Sequence, residues 1–321
     1  MRRFLARRLT HGAAVVLIAA SLAFVLVHIA PGDPFSTLNN DQLDPRVVEA
    51  WRTAYGIDRP LPQQFYSFFR QLAVGNLGLS VSYGRPVSEV LARALPNTLL
   101  LMGVALLVSF TAGIAIGAWQ AMHRDSVGDR VTGTTSLVIG SLPEFWLGLV
   151  LMVVFAEKLH WLPAGGMVDP LHNMLSTGGR IVDRIRHIVL PALTLGLLGT
   201  AAIARYQRAA LLDVLPQDFI RTARAKGIAE RWVVYRHGLR NALVPTIVLA
   251  GLSLPTLLGG AVFVETLYAW NGMGSLAAAA FFSRDYYLVL GAVLVGSVMV
   301  VVGGILTDVL HAVVDPRVRA R

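Results

Sequence analysis

Residues 98–121 read TLLLMGVALLVSFTAGIAIGAWQA, twenty-four positions without one acidic, basic or imidazole side chain. At 1.5 Å per residue a helix of that length reaches about 36 Å, enough to cross a hydrocarbon layer of about 30 Å. Five further apolar runs flank it, at 12–30, 133–156, 188–204, 243–264 and 286–310. The run at 188–204, with 17 residues, stands at the lower limit for a span; the others are comfortable. Charged residues make up 15% of the chain and hydrophobic ones 55%, whereas soluble domains carry roughly 25% charged residues. The sequence therefore predicts an all-α polytopic membrane protein with six transmembrane helices.

The first run follows Arg2, Arg3, Arg7 and Arg8, as a secretory signal would. A signal's apolar stretch is about 7–15 residues long and ends at a small-residue cleavage site. Here 19 residues end in His28-Ile29-Ala30-Pro31-Gly32-Asp33-Pro34, a helix stop, so the run reads as an uncleaved first span.

Basic residues concentrate on the cytosolic side of a membrane. With the N-terminus inside, segments 1–11, 122–132, 205–242 and 311–321 hold 17 Lys and Arg. The outer segments 31–97, 157–187 and 265–285 hold 11, spread over a longer stretch. The expected topology is a multi-pass chain of the cell's cytoplasmic membrane with both termini cytosolic. The net charge of +9, with 26 of 28 basic residues being Arg, would suggest nucleic acid in a soluble chain; here it marks the cytosolic leaflet of the lipid bilayer.

The chain is expected to have two parts: 1–97, the first span with an extracytoplasmic segment, and 98–321, a five-span core with a cytosolic loop at 205–242. In the first part Asp44-Pro45 reads as a helix start. Phe65, Phe68, Phe69 and Leu72 then fall at i, i+3, i+4, i+7, a helical apolar stripe. Such a helix suits the bilayer surface or a platform for an extracytoplasmic partner.

The cytosolic loop is unlike a linker. It interleaves Arg221, Arg224, Lys226, Arg231, Arg236 and Arg240 with Phe219, Ile220, Ile228, Trp232, Val233 and Tyr235. Ile228, Trp232 and Tyr235 recur at i, i+4, i+7, with Ala229 and Val233 beside them. Asp218 is placed to cap a first short helix, and Gly227 to supply a φ > 0 turn before a second. A basic amphipathic pair of this kind fits anionic lipid and a partner's groove equally well on composition.

The segment Thr222-Ala223-Arg224-Ala225-Lys226-Gly227 followed by Leu239-Arg240-Asn241-Ala242-Leu243-Val244-Pro245 resembles the cytoplasmic signature loop of ABC-importer permeases, in the dipeptide/oligopeptide/nickel branch. Further stretches agree with that branch in order: Ala30-Pro31-Gly32-Asp33-Pro34, residues 55–65, Gly75-Asn76-Leu77-Gly78-Leu79-Ser80, Pro96-Asn97-Thr98, and Pro143-Glu144-Phe145-Trp146-Leu147-Gly148. Residues 265–267, Trp270-Asn271-Gly272-Met273-Gly274, Asp308 and Asp315-Pro316-Arg317 complete the set. The chain departs from the general importer signature, Glu-Ala-Ala-x-x-x-Gly with a later Leu-Pro. Arg221 stands at the Glu position, Thr222 at the first Ala, Leu239-Arg240 at the Leu-Pro, and Asn271 where Pro is usual.

The resemblance implies a type I ABC-importer permease fold and a subunit that forms half of a heterodimeric pore. It implies as partners a second homologous permease, two ATP-binding cassette subunits and an extracytoplasmic solute-binding protein. The loop would carry the ATPase coupling element, with Asp218, Thr222, Ala223, Lys226, Gly227, Arg231, Arg240 and Asn241. Permeases of this pattern carry dipeptides, longer peptides, nickel chelates or glutathione-like solutes.

Other chemistries lack their residues. There is no Cys, which excludes disulfides, thiolate metal sites and Cys nucleophiles. No Gly-x-x-x-x-Gly-Lys-Ser/Thr occurs, so ATP belongs to a partner and no cofactor is expected on this chain. No His-Glu-x-x-His occurs, and the eight His are scattered. An intramembrane serine protease would need a His level with Ser141, Ser253 or Ser297, but His28 and His311 lie at span ends. A secondary transporter would show inverted repeats. Gly113-x-x-x-Gly117 and the Gly303-Gly304 step suit close helix packing, and Glu265 and Asp308 lie near span ends, within reach of interfacial water. Glu144 is different. Thirteen residues after Val131, the inner boundary of the third span, it sits about 20 Å along the helix, beyond the midplane, where a carboxylate faces a partner or a water-filled cavity. It reads either as a hydrogen-bonded acid that fixes packing or as a lining residue of the translocation path.

Overall fold

The computed structural model describes residues 2–29 and 59–314, and, within these, not the side chains of 2–6, 248, 250–252, 254–261 and 310–314. The expected helix start at Asp44-Pro45, the motif residues 30–34 and 55–58, and Asp315-Pro316-Arg317 lie outside the described residues. The chain divides into two compact units, residues 1–98 with 271–301, and 99–270 with 302–321.

In the first unit, helix α1 (Arg2–Ile29) carries the first apolar run without interruption. Helix α2 (Leu61–Ala73) opens with Pro at N2 and carries the phenylalanine stripe. Phe65 and Phe68 turn towards α1, with ring centroids 5.3 and 5.6 Å from Phe24, and Gln64 Oε1 lies 3.1 Å from His28 Nε2. A two-residue hairpin comes next, β1 (Leu79–Ser80) paired antiparallel with β2 (Arg85–Pro86). Helix α3 (Val87–Met122) then begins eleven residues before the apolar run, because Pro96 is tolerated inside it.

The unit's core joins Val87, Leu91 and Ala94 to Leu276, Ala280 and Leu288. Those last residues belong to helix α10 (Met273–Phe282) and helix α11 (Tyr286–Val314). Its polar anchor is Asp285, fully buried. The carboxylate accepts from Ser80 Oγ at 2.5 Å, from the Ser82 N–H at 2.9 Å and from the Leu288 N–H at 3.2 Å. It thus caps α11 and staples the hairpin to it.

The second unit holds the later part of α3, then helix α4 (Val127–Ser141), helix α5 (Glu144–Met152) with a π-helical turn (Val153–Lys158), and helix α6 (Thr177–Val214). The third apolar run is not one straight helix: the axes before and after 142–143 are bent by 107°. Leu142 is extended, φ −74°, ψ 139°, the conformation favoured before proline. The 20 Å reckoning for Glu144 assumes a straight helix and does not hold. Conversely, the shortest run lies in the 38-residue α6, which extends it at both ends and absorbs Pro191.

Between α3 and α6, glycines set the distance. A Cβ at Gly113 would stand 2.7 Å from the Ile203 side chain, one at Gly117 would strike the Ala204 carbonyl, and one at Gly196 would stand 2.9 Å from Val108. The packing reading of Gly113-x-x-x-Gly117 is borne out. At Gly304 a Cβ meets no described atom within 4 Å.

Among the described residues, four helices are long and apolar enough to cross a membrane: α1, α3, α6 and α11; the bent pair α4–α5 is a fifth if it forms one span. The remaining run lies in the 29-residue helix α9 (Leu239–Leu267). Glu265, expected near water, is fully buried.

Candidate functional site

The loop element predicted to couple starts just beyond the end of α6. Gln217, not Asp218, is the N-cap of helix α7 (Asp218–Ala225), and no side chain caps it. Asp218 occupies the first helical position, where its charge still favours the helix N-terminus, and lies 3.4 Å from Arg221 Nη1. The predicted capping role is therefore corrected.

At the other end of α7 the Gly227 N–H donates to the Arg224 carbonyl at 2.9 Å and the Ile228 N–H to the Ala223 carbonyl at 3.4 Å. With Gly227 at φ +78°, this is a Schellman stop, which glycine makes without a Cβ penalty. The turn expected from the sequence is present.

Beyond the turn, the chain departs from the predicted second amphipathic helix. Helix α8 (Glu230–Trp232) passes into a π-helical turn (Val233–Gly238) and then directly into α9. A π turn bonds i to i+5 and breaks the 3.6-residue register. As a result Val233, expected beside Trp232 and Tyr235, is buried with Val234, while Trp232 and Tyr235 are 54% and 55% exposed, as an apolar stripe that meets lipid or a partner must be. Ile220 and Ala223 of α7 complete the inner face, packing with Leu211, Val214 and Ala242.

The outer face is polar and aromatic. Asp218, Thr222, Lys226, Gly227, Arg231, Arg240 and Asn241 are exposed, and Ala223 alone of the predicted set is buried. Thr222 Oγ1 donates to the Asp218 carbonyl at 2.9 Å and Asn241 Nδ2 to the His237 carbonyl at 2.7 Å, so both serve their own helices. Arg224 forks onto Glu230 across the Gly227 turn, at 2.7 Å for Nη2–Oε1 and 3.1 Å for Nε–Oε2. Hydrogen bonding to Arg224 holds the Glu230 carboxyl below the usual glutamate value and raises the Arg224 guanidinium. The Arg231 guanidinium lies 6.0 Å from the Trp232 ring centroid. The surface thus presents a fixed turn, several cations and three exposed aromatic rings, Phe219, Trp232 and Tyr235, the composition of an interaction site.

Glu144 opens α5 at the bend. Its Oε1 is buried and has no hydrogen-bond partner among the described residues. One turn on, the Gly148 carbonyl accepts the Tyr268 hydroxyl at 2.8 Å, and Thr194 Oγ1 lies 3.0 Å from the same hydroxyl. The half-helix is therefore pinned by neutral groups while its carboxylate is left without a partner there.

Sequence reasoning missed three polar anchors. Asp285 stands directly before the last apolar run, a capping position that could have been read. Asp129, buried, is gripped by Arg208 at 2.8 Å (Nε–Oδ1) and 2.7 Å (Nη2–Oδ2); Ser126-x-x-Asp129 signals the helix start, but nothing signals the arginine 79 residues on. Asp183, also buried, lies 2.6 Å from His172 Nδ1 and 3.1 Å from His187 Nδ1. The hydroxyls of Ser141, Ser253 and Ser297 donate to carbonyls one turn back, in keeping with packing rather than nucleophilic attack.

A family described as binding-protein-dependent transport system inner membrane component matches residues 113–320, and its N-terminal companion matches residues 1–102. The chain is 39% identical to the oligopeptide transport system permease protein AppB of Bacillus subtilis over 99% of both chains. It is 36% identical to the di/tripeptide permease protein DppB of Pseudomonas aeruginosa and 36% to the glutathione permease protein GsiC of Salmonella choleraesuis, each over 99% of both chains. Among solved structures, the inward-facing MetNI methionine ABC transporter matches 72% of this chain and 95% of its own, with TM-score 0.51 and 20% identity, a likeness of fold.

Proposed function

The chain belongs to the family of binding-protein-dependent transport system inner membrane components, and from that premise we propose that it forms half of the pore of an ATP-driven importer of short peptides. It is a membrane-embedded transport permease and not an enzyme. Family membership carries ATP-binding and solute-binding partners in general. The finer reading is one second homologous permease, two ATP-binding cassette subunits and one extracytoplasmic solute-binding protein. ATP is bound by the cassettes, and this chain holds no cofactor. Both termini and the loop at 205–242 lie in the cytosol, as the distribution of 17 against 11 basic residues favours.

The observation that carries the mechanism is the Asp218–Gly238 element. A single left-handed glycine joins α7 to a helix continuous with α9, and the face turned to solvent bears Phe219, Trp232 and Tyr235 among cations. That face is the seat for a cassette subunit, and closure of the cassettes on ATP moves α9 through it. Glu144, unpartnered at a break within a span, lines the translocation path and meets the cationic amine of the solute. Peptides are favoured over glutathione because AppB, with a peptide name, is 39% identical, against 36% for GsiC, although both are similar over the full chain.

A Cys-free chain makes the topology directly testable. A Cys at Ala229 is expected to resist an impermeant thiol reagent applied from outside, and a Cys at Thr53 to react; the reverse would overturn the orientation. Glu144→Gln keeps shape and removes charge, so uptake of cationic peptides should fall while assembly and basal ATPase activity persist. Equal uptake of solutes of every charge would confine Glu144 to packing.

A further inference from the structure

The hairpin, the first turns of α3 and helix α10 enclose a cleft of about 840 Å³ within the first unit. Three charged side chains line it at four-residue spacing, Arg85 from β2 and Glu89 and Arg93 from α3. Arg93 Nη2 lies 2.6 Å from Glu89 Oε1, and Arg85 Nη1 lies 3.4 Å from the same oxygen. One carboxylate oxygen is shared by two guanidiniums, so the cleft keeps an excess of one positive charge.

On a convex helix surface such an i, i+4 ladder is a solvated decoration of little energetic worth. Here it lines a concavity whose opposite wall is Leu276 and Ala279 of α10. The two walls are tied together beside it. Asn97 Nδ2 donates to the Asn271 carbonyl at 2.7 Å, and the Met273 N–H donates to Thr98 Oγ1 at 2.7 Å. The cleft is thus pre-formed, its size falls within the range of small-molecule sites, about 300–1,000 Å³, and it combines apolar walls with a few convergent polar groups.

The geometry points to a binding site for the C-terminal carboxylate of a short peptide, taken between Arg93 and Arg85, with the first side chain of the peptide against the Leu276 wall. Guanidinium is the cation suited to a carboxylate, since its planar fork bonds both oxygens. A concave site with a single excess charge fits a small solute rather than a broad acidic protein face. This assignment rests on the peptide-import reading and adds a place where the solute is held outside the span region.

The test uses the assembled permease–ATPase complex in lipid nanodiscs without solute-binding protein, with Ala-Phe and its C-terminal amide as probes, by equilibrium binding. The wild type should favour the acid over the amide at least ~10-fold, the scale of a lost hydrogen bond to a charged group. Arg93→Gln and Arg85→Gln should each reduce that preference, and the double variant should abolish it. Glu89→Gln should raise it, because the guanidiniums lose their competitor; a structural role would weaken binding in all three single variants alike. Both arginine side chains are more than half exposed, so assembly should survive, as gel filtration would verify. Equal binding of acid and amide, or a preference that survives the double variant, overturns the site. So does a double variant that loses only affinity for the solute-binding protein, which would make the cleft a docking surface. Failure of the wild-type complex, reconstituted in proteoliposomes with its solute-binding protein, to take up peptide with ATP would sink the import reading itself; uptake there, without acid preference in the nanodisc binding, would sink the cleft alone.

Discussion

Two connecting regions of the chain are built in opposite senses. Around Asp285 the polarity is inside: one buried carboxylate collects donors from the hairpin and from the start of α11. Around Gly227 the polarity is outside: Ile220 and Val233 are fully buried, and the Arg224–Glu230 fork lies on the surface. A buried acceptor with several donors is expensive to remove, because each donor is left unsatisfied. A surface ion pair is cheap to remove. The first arrangement fixes a shape, and the second leaves its charges available to another chain.

The sharpest way to break this comparison is Asp285→Ala. It should destabilise the first unit by about 3–5 kcal/mol, from three orphaned donors, seen as a lower unfolding midpoint in detergent, with Asp285→Asn losing less. An unchanged midpoint would mean that the staple holds nothing. Next comes Ile220→Ala, expected to cost about 2–3 kcal/mol for a buried branched side chain, read as faster proteolysis at Lys226 with the spans intact. A stable loop in that variant would deny the apolar inner face its role.

Gly227→Val should cost about 1–2 kcal/mol, the strain of a left-handed residue with a Cβ, since the surrounding space is open and adds no clash. Binding-protein-stimulated ATPase activity and uptake should fall in this variant, and Gly227→Asn should keep more of both. Equal activity in the two would remove the turn from the coupling path. The smallest effect belongs to Arg224→Gln, under about 1 kcal/mol for an exposed pair. Because the folded Glu230 carboxyl titrates below its usual value, the pair's contribution is present at neutral pH and is lost as pH falls through that depressed value. Loop proteolysis should therefore quicken only in acid, and Arg224→Gln should remove that acid step.

The spans were legible because a charge-free run of two dozen residues has few other fates. Gly227 was legible because a basic helical segment ending in glycine specifies its own stop. Proline was ambiguous. Pro96 and Pro191 lie inside continuous helices and Pro143 lies at a sharp bend, yet all three stand in similar apolar surroundings. Val233, read as lying beside Trp232 and Tyr235, is parted from them because periodicity arguments assume a 3.6-residue turn, and the π turn after Trp232 does not keep it. The partners of Asp129 and Asp285 were illegible for a simpler reason: they lie 79 and up to 205 residues away, and no local pattern encodes a contact at that separation.

The bend at 142–143 also governs sidedness, by parity. Helix α4 has 15 residues, about 22 Å of length, too short to cross a layer of about 30 Å alone. If it forms one span with α5 and its π turn, the pair makes one crossing, and every later segment inherits its side from that count. With the pair crossing once, α7 comes after an even number of traversals and shares a compartment with the N-terminus. Were the pair to turn back instead, the same α7 would face the opposite compartment, away from any ATPase on the N-terminal side. A two-residue break thus sets the compartment of an element some 75 residues downstream.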